Sequence, residues 1–345
     1  MNELTPRRKE LLKRIIESHI ATSLPVGSRT LTERYDLHLS PASVRHEMGI
    51  LEEQGYLTHP HTSAGRVPTD EGYQFYVQEA VKEEPVSNEL LAYIVEELEK
   101  KIDNLDNLMI QASSILSAIA KEAVLVMPPL RSEFCFKNLN LVVLGPQRIL
   151  AVWSSTSGFI QDCLITLDEP ISEEEAGRIR NFINQELEGV SLTQLEEELL
   201  KRTAFRRDSL KHLYEQSLGI VRNSVGRWRE PTVFVEGSHY ILGQPEFQDL
   251  KKFQLLMETL EERSHLVGLL KSRSLEPGVS VAIGERELSK NIWDCSLVAS
   301  PYGWKGQCMG LLAILGPRRM PYGKMIGLVR QTAEKLTQIL ARMDS

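Results

Sequence analysis

The chain has 345 residues, of which 42% are hydrophobic and 25% charged, and its net charge is −7. A length of this order predicts two or three domains. The composition excludes a wholly disordered chain, a collagen-like fibre and a disulfide-dense mini-protein, and an acidic chain can hold a polyanion only through a local face.

Cys135, Cys163, Cys295 and Cys308 lie far apart, with no C-x-x-C pair and no metal-ligand spacing. They are expected to be reduced, small hydrophobic residues of a cytoplasmic protein. Arg7-Arg8-Lys9 is not followed by an apolar run, so no signal peptide is expected. The longest apolar stretch, near 108–130, is broken by Gln111, Lys121 and Glu122. A membrane span needs about 20 largely apolar residues, so a soluble, intracellular chain with no membrane partner is predicted.

Residues 1–80 read as three helices, a hairpin and a fourth helix. Thr5-Pro6 caps and opens the first, and Leu11, Leu12, Ile15, Ile16 and Ile20 recur on one face. Ser28 is the expected cap of a short second helix carrying Leu31 and Tyr35. Ser40-Pro41 opens the third, with Val44, Met48 and Leu51 as its core stripe and Gly55 just past its end. Two short strands then flank a loop of small residues, 59–66, before Thr69-Asp70-Glu71 starts the fourth helix.

Residues 79–106 hold nine acids against three lysines and read as a linker entering a long helix that ends near Glu122. Runs at 136–144, 149–155 and 159–167 predict an antiparallel meander. Residues 168–271 are mainly helical. Strand patterns return at 278–284, 296–300 and 309–315, and an amphipathic helix at 323–342 ends the chain. A six-stranded α+β domain interrupted by a mostly helical insertion is the expected arrangement.

A helix-turn-helix followed by a two-stranded wing is a DNA-docking geometry, in which the helix presents N-terminal residues to base edges. With Val44, Met48 and Leu51 inward, Ala42, Arg45, His46 and Gly49 fall on or beside the outer face, and Ser40 and Ser43 lie near its start. Arg45 is the best candidate for a guanine or phosphate contact, with a pairing to Glu52 or Glu53 as its alternative. His46 is either a base or phosphate donor or a solvated histidine. The tip residues His61, Thr62, Ser63 and Gly65 carry donors without bulk, and Arg66 has the reach for a minor groove. His59 and His61 lack the further ligands a zinc site needs. Arg7, Arg8, Lys9, Arg29 and Arg34 are further phosphate candidates. Residues 1–76 hold nine Lys/Arg against ten Asp/Glu, so affinity depends on placement and on two half-sites. Five of the eight histidines fall here, and binding is expected to tighten as pH falls toward their pKa. No phosphate-binding loop, dinucleotide fingerprint, nucleophile elbow or H-E-x-x-H motif is present, so no enzyme, metal or cofactor is expected.

The runs Leu39-Ser40-Pro41-Ala42-Ser43-Val44-Arg45-His46-Glu47-Met48 and Leu51-Glu52-Glu53-Gln54-Gly55-Tyr56-Leu57 closely resemble the bacterial heat-inducible transcription repressor family HrcA. So does Pro60-His61-Thr62-Ser63-Ala64-Gly65-Arg66-Val67-Pro68-Thr69-Asp70-x-Gly72-Tyr73, and 234–242, Pro245-Glu246-Phe247, 310–320 and Tyr322 extend the likeness along the chain. The resemblance implies an α+β protein. A winged helix-turn-helix domain spans 1–80, and 81–107 forms a linker and the start of a long helix. A GAF-like antiparallel-sheet domain spans 108–190 and 276–345, interrupted by an inserted, mainly helical dimerisation domain at 191–275. It implies a homodimer on double-stranded DNA at the CIRCE inverted repeat, repressing chaperone operons such as groE and dnaK, with the GroEL chaperonin keeping it active. The family usually has Thr and Asn where this chain has Ser43 and His46. The stripe Leu255-Leu256-Met257 with Leu260 is the expected dimer face. The alternative is a repressor controlled by a small molecule, with Trp293, Tyr302, Trp304 and Cys308 lining a pocket in the GAF-like domain.

Overall fold

The computed structural model describes residues 4–36, 38–60, 65–100, 105–128, 134–156, 160–203, 211–228, 233–241, 243–274, 278–284, 288, 292, 294–304 and 307–343. Helix α1 (Pro6–Thr22) starts where the Thr5 hydroxyl accepts the Arg8 amide at 3.4 Å, with Pro6 in the first turn. Leu11, Leu12, Ile15 and Ile16 are its buried face. The cap of helix α2 (Ser28–Arg34) falls one residue earlier than expected: Gly27 takes that position, and Ser28 is buried inside the helix. In α3 (Pro41–Glu53) the Ser40 hydroxyl accepts the Ser43 amide at 3.1 Å, and Val44, Met48 and Leu51 are buried.

Gly55, at φ +86°, closes α3. Its amide donates to Glu52 and the Tyr56 amide to Leu51, at 2.9 and 3.0 Å, the paired bonds of a glycine-terminated helix. Strands β1 (Leu57–Thr58) and β2 (Val67–Pro68) pair antiparallel, Leu57 opposite Pro68, and α4 (Asp70–Glu79) follows under a Thr69 cap.

The predicted long helix is two helices, α5 (Asn88–Glu99) and α6 (Leu105–Ala120). Strand β3 (Ala123–Met127) follows, buried at every position, where the sequence pattern predicted no strand. The meander is β4 (Phe136–Gly145), β5 (Arg148–Ser155) and β6 (Ile160–Thr166), followed by α7 (Glu173–Leu187), α8 (Leu195–Thr203) and α9 (Lys211–Trp228). After β7 (Phe234–Glu236) and α10 (Ser238–Ile241) come α11 (Leu250–Glu261) and α12 (Arg263–Ser274). Strands β8 (Ser280–Ile283), β9 (Cys295–Trp304) and β10 (Gln307–Pro317) and the helix α13 (Tyr322–Met343) complete the order.

The expected single six-stranded sheet is two sheets. β7-β3-β10-β9-β8 form a five-stranded antiparallel sheet, and β4-β5-β6 form a separate one of three strands. The chain therefore leaves the larger sheet after Met127 and re-enters it at Phe234, rather than departing at 191 and returning at 275. The burial patterns give the reason. β5 alternates, as a strand with one wet face must, whereas β3 is covered on both faces. On one face of the larger sheet Val124, Val126, Val298 and Ile314 share a core with Leu108, Leu116, Leu328 and Leu336. On the other, Leu125, Leu297, Leu311 and Leu315 pack with Leu256, Leu260, Leu266 and Leu270. Leu256 and Leu260 of the expected dimer stripe are thus spent inside their own chain, and Leu255 alone of its leucines is exposed. Among the described residues no helix is long and apolar enough to cross a membrane.

One ion pair and one ring contact tie the N-terminal helices to the larger sheet and the helix that follows it. Arg318 reaches Asp70 at the start of α4 with one guanidinium nitrogen and Asp294 before β9 with the other, both at 2.5 Å. Beside it, His19 Nδ1 lies 2.7 Å from the Tyr73 hydroxyl, and the Tyr73 ring sits 6.2 Å from that of Tyr322. Burial is the largest cause holding His19 down at about 4; Glu246 opposes it, and Arg319 and Arg318 add to it. Burial likewise lifts the Glu122 carboxyl to about 8. One Glu122 oxygen has no hydrogen-bond partner, while Gln244 lies 3.5 Å from the other.

These two groups tilt stability in opposite directions with pH. His19 contributes fully above its ordinary 6.5, and the contribution is lost as pH falls toward 4. Glu122 contributes below its ordinary 4.5, and the contribution is lost as pH rises through about 8. Denaturant midpoints should show the parent chain weakening between pH 5 and 9 relative to Glu122→Gln, and weakening between pH 6.5 and 4 relative to His19→Gln. Parallel curves for parent and variants would contradict both assignments.

Candidate nucleic-acid interface

The α3 stripe decides which side chains face outward. With Val44, Met48 and Leu51 buried, Ala42, Ser43, Arg45 and His46 are exposed, and so is the cap Ser40. The Ser40 and Ser43 hydroxyls lie 2.9 Å apart, at the end of the helix where unsatisfied amides favour an anion. Arg45 and His46 have no hydrogen-bond or ion-pair partner among the described residues.

Two of the three acids of α3, Glu47 and Glu52, are engaged elsewhere. Glu47 accepts from Arg8 of α1 at 2.8 Å. Glu52 accepts from Arg66 at 2.7 Å and is also bonded to His59. The competition foreseen for Arg45 therefore does not arise at Glu52, whose carboxylate is taken by the hairpin. Arg8 and Lys9, expected at phosphates, are instead scaffold cations, Lys9 pairing with Glu79 at 3.0 Å.

Arg66 differs from its expected role in the same way. Its amide and carbonyl bond Val26 at 2.9 and 2.8 Å, its guanidinium is held by Glu52, and its Nε is buried without a partner. It anchors the base of the hairpin instead of extending toward a groove. Gly65 is also used internally: a Cβ there would lie 2.5 Å from the Val26 carbonyl oxygen. The tip residues His61, Thr62 and Ser63 lie outside the described residues. Glu52 and Val26 were not legible as parts of this arrangement, because both act only once the hairpin has folded back.

His19 drops out of the pH dependence expected of DNA binding, since burial keeps it neutral at ordinary pH. Tyr302 is buried with its hydroxyl donating to the Met127 carbonyl at 2.9 Å, a packing role between α6 and the sheet. Trp293 and the side chains of Trp304 and Cys308 lie outside the described residues. Among the described residues, no group of three or more His, Cys, Asp or Glu is placed to hold a metal ion.

The family described as HrcA protein C terminal domain matches residues 106–326. A heat-inducible transcription repressor HrcA of Geobacter sulfurreducens is 34% identical over 99% of this chain and 99% of its own length. That of Natranaerobius thermophilus is 35% identical over 97% and 96% of the two chains. This chain belongs to the HrcA family. The HrcA protein of Pelotomaculum thermopropionicum, 32% identical over 99% and 98%, extends the same likeness. A crystal structure described as a hypothetical protein shares the fold, with a TM-score of 0.63 over 99% of this chain and 98% of its own at 19% identity.

In this HrcA family member the hairpin's seat on Val26 has a simple test. Gly65→Ala forces backbone against backbone, an overpacking that costs about 1–3 kcal/mol. Its denaturant midpoint should fall accordingly, while Gly49→Ala, which meets nothing within 4 Å, should hold or raise it. Equal midpoints for the two variants would contradict the packing role of Gly65.

Proposed function

We propose that residues 1–80 form a winged helix-turn-helix domain through which this heat-inducible transcription repressor holds double-stranded DNA as a homodimer at a CIRCE-type inverted repeat. The supporting observation is the exposed face of α3, where Arg45 stands without a carboxylate partner among the described residues while Glu47 and Glu52 are occupied by other cations. Arg45 reads a base edge; a well-placed bidentate arginine contributes about 1–3 kcal/mol of discrimination. Ser40, Ala42, Ser43 and His46 lie against the same groove, Ser40 and Ser43 at a phosphate. The tip donors His61, Thr62 and Ser63 meet the backbone beyond it, and Gly65 and Arg66 hold the hairpin that carries them.

The five-stranded sheet with its flanking helices is the GAF-like unit, and β4–β6 with α7–α9 is the inserted dimerisation unit. A row of apolar residues, Val142, Leu150 and Leu164, crosses the outer face of the small sheet, and Val142 and Leu164 are exposed there together with Leu144 and Ile160. A second copy covering this face sets the half-site spacing and doubles the phosphate contacts.

Occupancy of the operator represses chaperone operons such as groE and dnaK in the cytoplasm. A loss of 1–2 kcal/mol on heating changes the active fraction several-fold. The GroEL chaperonin restores the active fold until misfolded clients draw it away.

The test is anisotropy of a labelled inverted repeat against a scrambled duplex, with and without chaperonin. Specific binding should exceed non-specific by about 10³ or more at physiological salt, and Arg45→Ala should narrow that gap at least tenfold. Equal, weak binding to both duplexes with chaperonin present would overturn the proposal.

A further inference from the structure

A groove opens beside the start of α3, bordered by the charged residues Arg7, Glu10, Arg14, Arg34 and Asp36, with Leu11, Tyr35 and Leu39 completing its lining. Its charges are unequally committed. Arg14 donates to Glu10 at 2.8 Å and to Glu17 at 3.0 Å, and its guanidinium carbon stands 5.1 Å from the centre of the Tyr35 ring. Asp36 lies 2.9 Å from His38. Arg34 stands 5.8 Å from the Tyr35 ring centre, and neither it nor Arg7 has a carboxylate partner among the described residues. Two exposed guanidinium groups thus border the groove around a half-buried aromatic floor.

The groove's position identifies its occupant. Tyr35, Asp36 and Leu39 lie on the turn that delivers the chain to Ser40, the α3 cap. A duplex seated on the first turn of α3 brings its sugar-phosphate rail alongside that turn, as the helix preceding a recognition helix crosses the backbone. The planar arginine fork matches a phosphate bidentately, and stacking on tyrosine pre-organises it.

We infer that this groove is a second DNA contact, in which Arg7 and Arg34 grip one backbone phosphate beside the bases faced by α3, with Tyr35 as their platform. The inference rests on the DNA-binding reading of α3. The contact carries no sequence information, because phosphate contacts set register and affinity while base contacts set sequence. It supplies some of the local positive charge that a chain of net −7 otherwise lacks.

The experiment measures affinity of the full chain for the inverted repeat and the scrambled duplex over a salt series. Arg7→Ala/Arg34→Ala is compared with Arg7→Lys/Arg34→Lys. Each lost phosphate contact flattens the plot of log affinity against log salt by about 0.9, so one phosphate per protomer changes the slope of a dimer by roughly 2. The alanine pair should flatten the slope on both duplexes and leave their affinity ratio unchanged, and the lysine pair should keep the parent slope. An unchanged slope in the alanine pair would overturn the inference. So would loss confined to the inverted repeat.

Inorganic phosphate at constant ionic strength separates the two phosphate sources. Displacement of DNA from the parent chain but not from the alanine pair is the expected result of a shared site. Phosphate binding by the parent chain that needs both arginines yet leaves DNA affinity untouched would assign the groove to a free anion and overturn it as a DNA contact. The two proposals fail separately. A parent chain that does not prefer the inverted repeat, yet loses slope in the alanine pair, removes the sequence reading and keeps the groove. An intact preference with an unchanged slope does the reverse.

Discussion

Arg318 is the contact through which the N-terminal helices and the large sheet hold a fixed relation. Its fork spans two carboxylates from different parts of the chain, Asp70 on α4 and Asp294 before β9. The planar fork presents a separate nitrogen to each acid. Lys252 shares Asp294 at 2.6 Å, so the acid is bracketed by two cations. Gly284 has no side chain because a Cβ there would overlap the Asp70 carboxylate. Arg318 and Asp70 each keep about a quarter of their side-chain surface exposed, 27% for both, so the pair contributes more direction than strength. The packing comes from His19, Tyr73 and Tyr322 beside it. Since α1, α3 and α4 share one core, fixing α4 also fixes the direction in which α3 faces.

Charge on α3 follows from the same economy of partners. Two of the three carboxylates of α3 are taken by cations of this same chain. Glu47 holds α1 through Arg8, and Glu52 holds the hairpin through Arg66 and His59. The same pairs that brace the helix therefore leave Arg45 without a competing anion among those two acids.

The local features of the N-terminal segment were legible in the sequence. Ser40-Pro41, the Val44–Met48–Leu51 spacing and Gly55 each act within a turn or two of their own position, and all three stand as predicted. What failed depends on partners distant in the chain. β3 is buried on both faces, so it lacks the alternation that marks a strand, and the sequence pattern predicts none there. The meander's membership of a separate sheet is set by β7 and β10 closing on β3, which no spacing within 136–166 records. Arg66 carries the right chemistry for a groove, but folding brings it against Glu52, 14 residues back. Leu256 and Leu260 join the core on one face of the sheet, and a stripe alone does not say whether its cover is in the same chain.

The central claim, that the exposed face of α3 reads bases, is tested most directly by competition binding with every single-base variant of one half-site, for the parent chain and for Arg45→Ala. The α3 assignment predicts that alanine abolishes discrimination at one or two adjacent base pairs, about 1–3 kcal/mol each, and leaves the other positions as they were. A uniform loss of affinity across all variants, or an unchanged pattern, would contradict it.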